Sequence, residues 1–214
     1  MSGVPSPSAA KPDSYYGNDR ADLVAGLPRP IGAALDVGCG AGAVGRGLRA
    51  AGAQGVVGIE PDRAAADRAV EAYDEVVVDT VETALSSLRG PFDTVCCYDV
   101  LEHLVDPYGV LRALRELTSP GGRLHVSVPN ARHLSLLVDL VVRGTFGYTD
   151  WGHRDSTHLR WFTRRDIVAA VSEAGWRVSA VGHPELGRSR TLGRLTGGRT
   201  TEFLTAQWYL LALR

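Results

Sequence analysis

Short apolar runs recur along the chain as "AALDV" (33–37), "GVVGI" (55–59), "EVVV" (75–78), "FDTVCCY" (92–98) and "RLHVSV" (123–128). Between them, apolar residues return at helical spacing near 42–51, 61–72, 106–117 and 163–174. Brief apolar runs alternating with amphipathic helices predict a parallel sheet covered on both faces. Upstream, "YYGNDRADLVAGL" also has helical spacing and is closed by Pro28 and Pro30. "PGG" (120–122) and "AGW" (174–176) read as helix stops that feed the next strands. Near the end, "WRVSAVGH" (176–183) and "TEFLTAQWYLLALR" (201–214) read as two further strands joined by a Gly/Arg-rich loop at 184–200.

Two segments fall outside this rhythm. Residues 1–13, rich in Ser, Pro and Ala, are expected to form a disordered tail, which leaves 14–214 as a single domain. Residues 131–162 are too long for a simple connection and follow the carboxyl end of a strand, where open α/β sheets bind ligands. This insertion is the candidate substrate cap.

The 214 residues, 44% of them hydrophobic, suffice for one sizeable core. A formal charge of −1, with Lys11 the only lysine, gives no basic track for DNA and argues against an RNA acceptor. Cys39, Cys96 and Cys97 lack both a disulfide framework and CxxC metal spacing, which fits a reducing cytoplasm. The longest apolar run, "LSLLVDLVV", is interrupted by Asp139 and too short to span a bilayer, so no membrane partner is expected.

The chemistry concentrates around "ALDVGCGAGAVG" (34–45), a glycine-rich turn between a predicted strand and a predicted helix. Its glycines allow two readings: Gly40-x-Gly42-x-x-Gly45, a dinucleotide fingerprint, or Gly38-x-Gly40-x-Gly42, a tighter loop. In either, Glu60, about twenty residues further on, is placed to accept ribose hydroxyls. Asp36 separates the readings by charge, because a carboxylate at the strand end repels a pyrophosphate and attracts a ligand carrying an ammonium and a sulfonium. S-adenosylmethionine is such a ligand. No Gly-Lys-Ser/Thr follows the loop, which excludes a P-loop. The only lysine precedes the fold, which leaves no Tyr-x-x-x-Lys pair for a short-chain dehydrogenase.

"LDVGCGAG", "VGIEPD", "FDTVCCYDVLEHLVDP", "SPGGRLHVSVPN" and "THLRWFTRRDI" followed by "AGW" stand in the order found in class I S-adenosylmethionine-dependent methyltransferases, which the chain resembles from about Tyr15 to its end. The resemblance implies a Rossmann-like three-layer sandwich with a seven-stranded, mostly parallel sheet whose last strand is antiparallel, and the cap inserted after strand 5. It also implies that Asp36 and the loop Gly38, Cys39, Gly40 and Gly42 wrap the methionine part of the cofactor. Glu60, with Pro61 beside it, would hold the ribose; Asp79 would meet the adenine amino group and Asp99 would lie beside the sulfonium. Tyr15, Tyr16 and Arg20 match an N-terminal lid in the branch that shares "THLRxFT".

Methyl transfer is an in-line displacement that depends on holding the nucleophile close and dry, and a hydroxyl nucleophile gains from a base or a metal. The candidates are His103, His153, Asp155 and His158, with His158 favoured. "DVLEH" puts Asp99, Glu102 and His103 on one face if a helical turn starts there. The resemblance adds that branches methylating ubiquinone precursors and small-RNA ends carry a similar magnesium-binding cluster, with a later His that His158 approaches. Asp99, Glu102, His103 and His158 are therefore the candidate ligands of a divalent ion such as magnesium. In other members of the family "LEH" holds no metal and orients the loop beside the cofactor. Arg160 could anchor an acidic substrate group or pair with Asp166, His125 reads as structural, and Tyr148, Trp151 and Trp161 either line an acceptor pocket or pack the cap.

The expected activity is methyl transfer from S-adenosylmethionine to a small polar acceptor, foremost a hydroxyl oxygen of a sugar or secondary metabolite. Nitrogen, carbon, carboxyl or phosphonate acceptors, a non-catalytic partner subunit, and a nicotinamide oxidoreductase resting on the Gly40-x-Gly42-x-x-Gly45 fingerprint remain open at this point.

Overall fold

A computed structural model describes residues 20–183 and 200–214. The expected tail, Tyr15, Tyr16 and nearly all of the 184–200 loop lie outside the described residues.

In chain order the elements are α1 (Ala21–Ala25), β1 (Ala33–Val37), α2 (Ala43–Ala50), β2 (Gly55–Ile59), α3 (Arg63–Ala69), β3 (Glu75–Val77), α4 (Val81–Ala84), β4 (Phe92–Tyr98), α5 (Pro107–Glu116), β5 (Thr118–Pro129), α6 (Leu134–Val141), α7 (Arg164–Glu173), β6 (Arg177–Gly182), α8 (Thr201–Leu204) and β7 (Gln207–Leu213). The strands form one sheet in the order β3-β2-β1-β4-β5-β7-β6. Neighbours from β3 to β5 run parallel, and β7 runs antiparallel to both β5 and β6. This is the expected sandwich, with the last strand reversed.

The two-residue period of a strand sends neighbouring side chains into different layers. Leu35, Val37, Val95 and Cys97 join one core with residues of α4, α5 and α7. Ala34, Val56 and Cys96 join the other, with Leu23, Val24, Val44 and Leu48 from α1 and α2. The adjacent Cys96 and Cys97 therefore face opposite layers, both fully buried. Helix starts follow local side-chain chemistry: Asp62 caps α3 through Ala65 N at 2.8 Å, and Asp106 caps α5 through Gly109 N at 2.9 Å with Pro107 at the first turn. Thr163 and Asp166 form a capping box on α7. Asp166 is thus engaged at that cap, and Arg160 instead donates to the carbonyls of Val105 and Leu159.

Two elements depart from the sequence expectation. "PGG" lies inside β5, where the pairing with β4 jumps from Phe92↔Thr118 to Thr94↔Arg123, and Gly121, at φ +79°, absorbs the extra chain. The run 201–214 starts as α8, because the Asn130 side-chain amide donates to the carbonyls of Glu202 and Thr205, at 2.6 and 2.8 Å. Its buried and half-buried positions alternate only from Gln207 on. The insertion after β5 leaves and rejoins the fold at a bridge between Asn130 and Phe162, and contains α6 and a 3₁₀ turn at Gly152–Arg154. No helix among the described residues is long and apolar enough to cross a membrane.

Candidate active site

Over the carboxyl ends of β1, β2 and β4 lies a cavity of about 970 Å³, near the upper end of the range for small-molecule sites. Its near wall comes from the loop after β1. Gly38, Cys39 and Gly40 line the cavity there, whereas Gly42 and Gly45 face the protein. Gly42, at φ +89°, starts α2 against Ala69 and Ala72. A Cβ on Gly45 would stand 2.4 Å from the Tyr73 ring. The glycine pattern thus combines two jobs: lining a ligand site and admitting Tyr73.

Tyr73 is a functional residue that the motifs did not reveal. Its hydroxyl accepts from Gly45 N at 2.9 Å and donates to Asp36 Oδ2 at 2.5 Å. Burial, despite this bond, pushes Asp36 up from 3.8 to about 7, with nearby Glu60 adding to the shift. At neutral pH the Asp36 charge is therefore only partly developed in the free protein. Glu60, at the end of β2, accepts from Gly40 N and Asp62 N, each at 2.9 Å, and burial pushes its carboxyl up as well. Pro61 lines the cavity beside it. Asp79 does not line it; its carboxylate accepts from Thr80 N, and Thr80, Val81 and Glu82 form that wall.

The far wall follows β4. Asp99 takes a left-handed backbone, at φ 54°, and its carboxylate pairs with Arg20 and accepts from Gln207 Nε2 at 2.7 Å and Ser127 Oγ at 3.0 Å. Arg20 also donates to Gln207 Oε1 at 3.1 Å. The helical turn expected to align Asp99, Glu102 and His103 is a 3₁₀ turn that begins only at Leu101. Asp99 is consequently absent from the ligand cluster, which consists of Glu102, His103 and His158, with donor atoms within 4.8 Å of one another.

Glu102 is 1% exposed and neither carboxylate oxygen accepts a hydrogen bond. Burial raises its carboxyl from 4.5 to about 8. The His103 and His158 rings meet edge to face at 4.7 Å. Thr157 is a second residue that the motifs missed. Its hydroxyl gives its one proton to Asp155 Oδ1 at 2.7 Å, so at 3.0 Å it accepts from His103 Nδ1. Neutral His103 then carries its proton on Nδ1 and presents Nε2 as a lone pair.

Asp155 and His158 line the cavity, but His153 does not: its ring stacks on His133 at 4.7 Å and its Nε2 donates to Ala206 O at 2.9 Å. His125 hydrogen-bonds the Tyr98 hydroxyl at 2.8 Å, and burial pushes it down to about 4, in keeping with a structural role. Phe146 meets Tyr148 and Trp161 edge to face within the cap, whereas Trp151 lines the cavity.

Among the described residues, the cavity wall carries seven acidic side chains, of Asp36, Glu60, Asp62, Glu82, Asp99, Glu102 and Asp155, against the single guanidinium of Arg20, with Asp36, Glu60 and Glu102 held by burial toward their neutral forms. Such a wall favours a cation and opposes a pyrophosphate. The family model described as a methyltransferase domain matches residues 16–181. The chain is a class I S-adenosylmethionine-dependent methyltransferase.

Solved relatives share the fold of this methyltransferase. An S-adenosylmethionine-dependent methyltransferase from Archaeoglobus fulgidus matches at TM-score 0.68 and 14% identity over 95% of each chain. Magnesium protoporphyrin IX methyltransferase from Synechocystis, bound to S-adenosylhomocysteine, matches at TM-score 0.62 and 22% identity over 94% of this chain and 83% of that one. Two proteins named ubiquinone biosynthesis O-methyltransferase are more similar in sequence. The Escherichia coli protein is 37% identical over 112 residues, 50% of this chain and 47% of its own length. The Xanthomonas axonopodis protein is 33% identical over 147 residues, 62% of each. The chain thus spans about half to three-fifths of the curated relatives it matches.

The raised Asp36 carboxyl gives the methyltransferase a pH signature. A cationic ligand binds the ionised form better, so affinity for S-adenosylmethionine should increase as pH rises through about 7, with proton release on binding. S-adenosylhomocysteine, lacking the sulfonium charge, should respond less, and calorimetry in buffers of different ionisation heat reads both effects. For stability the sign is opposite. The folded chain keeps a proton that the unfolded chain has lost, so the Asp36 contribution falls as pH rises from about 3.8 to about 7.

Proposed function

We propose that this methyltransferase acts on a hydroxyl oxygen of a small polar acceptor, a sugar or secondary metabolite. The observation that carries this reading is the pair of imidazoles, His103 and His158, in the cavity wall beside the buried Glu102 carboxyl, whose oxygens accept no hydrogen bond. A neutral amine attacks through a lone pair it already has, whereas a hydroxyl gains from a group that removes its proton. A built base therefore favours oxygen. The shared designation of the two curated relatives as O-methyltransferases supports the same acceptor atom.

In this reading Gly38, Cys39 and Gly40 cradle the methionine part of the cofactor, Glu60 accepts from the ribose, and the acidic wall attracts its positive charge. S-adenosylmethionine supplies the methyl carbon on a sulfonium. The acceptor oxygen forms the new carbon–oxygen bond as the carbon–sulfur bond breaks, with the electron pair passing to sulfur. The acceptor proton leaves to an imidazole, His158 first, with His103 Nε2 as its neighbour. Arg20, joined to Asp99 and Gln207, closes the cofactor end.

The same three side chains could hold a divalent cation, and the orphaned Glu102 oxygens fit that role. Glu102, His103 and His158 would be the ligands, and a bound cation would lower the pKa of an acceptor hydroxyl. Two imidazoles and one carboxylate suit manganese or zinc better than magnesium. Manganese should raise the melting temperature of the wild type but not of Glu102→Gln. Equal shifts in both proteins would remove the metal from this cluster.

The acceptor reading is tested by incubating the protein and S-adenosylmethionine with matched small alcohols, phenols, sugars and amines. Mass spectrometry should find methylated oxygen in the hydroxylated set. Methylation confined to the amines would overturn the reading.

A further inference from the structure

We infer that Tyr73 is a positioning residue for the cofactor, whose hydroxyl links the first turn of α2 to Asp36 and holds that carboxylate toward the ligand's positive charge. The inference rests on the reading that places the methionine part of S-adenosylmethionine against the loop after β1.

The hydroxyl stands in a directed chain. Gly45 N donates to Tyr73 Oη at 2.9 Å, and Tyr73 gives its one hydroxyl proton to Asp36 Oδ2 at 2.5 Å. Gly45 is the third residue of α2, and the cap residue Gly42 has no side chain to satisfy the N–H groups of that turn. Tyr73 takes over this role from 28 residues away in sequence. A phenol polarised by a helix N-terminus bonds a carboxylate better than the neutral acid, which favours ionisation. Asp36 lines the cavity and Tyr73 does not, so Tyr73 acts through Asp36. With Oδ2 taken by the phenol, Oδ1 is left for an ammonium in the cavity.

The fold is cut to seat this ring. A Cβ on Gly45 would stand 2.4 Å from Tyr73 Cζ, and one on Gly58 would stand 3.1 Å from Tyr73 Cδ1. Glycines on α2 and β2 thus leave the space that the ring fills. The backbone is clamped on both sides of Tyr73: Arg49 Nε donates to Ala72 O at 2.8 Å, Val56 N donates to Asp74 Oδ2 at 2.7 Å, and Asp74 N donates to Val56 O at 2.8 Å. A phenol so held loses little freedom in reaching Asp36. Packing alone would be served equally by phenylalanine; the hydroxyl and its two bonds need another reason.

Ionisation at Asp36 can be read against a quiet background. Glu60 at the end of β2, Cys39 in the glycine loop, Cys96, Cys97 and Tyr98 on β4, and Tyr73 itself are the titratable groups that face it among the described residues. Burial pushes the three thiols and both phenols up, so they keep their protons near pH 7. Glu60 is tied to Gly40 N and Asp62 N, contacts that do not involve Tyr73.

The test is calorimetric titration with S-adenosylmethionine, from about pH 6 to about pH 9, of wild type, Tyr73→Phe and Asp36→Asn. Phenylalanine keeps the ring and removes the proton given to Asp36, so the pH at which affinity rises should move from about 7 to about 8. At pH 7 Tyr73→Phe should bind about fivefold more weakly, and at about pH 9 it should match the wild type. Proton release on binding at pH 7 should grow from about half a proton to about nine-tenths. The ligand's own titration cancels in the ratio of the two affinities. A merely structural tyrosine would weaken binding by the same factor at every pH. That result, or an unchanged midpoint, overturns the proposal. Asp36→Asn tests the placement of the cofactor by itself and should lose the rise near pH 7. A wild-type profile in Asp36→Asn would overturn that placement and the proposal with it, whereas a lost rise there beside an unmoved midpoint in Tyr73→Phe overturns the role of Tyr73 alone.

Discussion

Replacing His158 with alanine should lower turnover on a hydroxylated acceptor by about 10²–10⁴-fold, the range of a lost general base, with S-adenosylhomocysteine affinity unchanged. The side chain is 7% exposed, lines the cavity and faces His103 edge to face at 4.7 Å. In the proposed reading His158 serves the acceptor and not the glycine loop, so cofactor affinity should be spared. The matched control is His153→Ala. That ring is stacked on His133 and bonded to Ala206 O, off the cavity, so the variant should keep its turnover. Steady-state kinetics on both variants decide the matter. A His158→Ala enzyme with full activity would place the base elsewhere, and equal losses in the two variants would point to damage to the cap.

Glu60→Ala should weaken cofactor binding by about 1–3 kcal/mol. That corresponds to roughly 5–150-fold in dissociation constant. One carboxylate oxygen holds Gly40 N and the other holds Asp62 N, each at 2.9 Å, so the side chain fixes the glycine loop to the end of β2. Its remaining lone pairs are those a ribose diol would use. Alanine would remove the proposed ribose contact and leave two backbone N–H groups without their partner. Glu60→Gln keeps one acceptor oxygen and should fall between. Calorimetry with S-adenosylhomocysteine measures all three proteins, and an unchanged affinity in Glu60→Ala would reject the assignment.

Local patterns made much of this architecture readable. The strand runs at β1, β2 and β4 are bounded as the apolar stretches suggested, because these strands are buried or half-buried on both faces and read as continuous apolar runs. The helices expected from apolar spacing near 61–72, 106–117 and 163–174 start at Asp62, Asp106 and Thr163, whose caps act within three residues of themselves. What escaped depends on long-range contacts. Tyr73 meets Asp36 and Gly45 across 37 and 28 residues of sequence, and nothing in "EAYDE" marks it. Asp99 sits in the expected motif, but its left-handed backbone turns the carboxylate to Arg20, Ser127 and Gln207, partners drawn from three distant segments. The charge argument at Asp36 reached the right ligand for a partly different reason. The acidity that matters is spread over the cavity wall, and Asp36 itself is half neutralised by burial. Thr157 had a local signature, a hydroxyl two residues after Asp155, but its role as the acceptor for His103 Nδ1 appears only when the cap folds over the turn after β4.

The central claim, an acidic cavity shaped for a cationic nucleoside cofactor, is tested most directly by calorimetric titration of the purified protein with S-adenosylmethionine, S-adenosylhomocysteine and NAD. Micromolar binding of the first two and none of NAD is the predicted result. Binding of NAD, with neither sulfur nucleoside bound, would contradict the account of the glycine loop and of the cavity's charge.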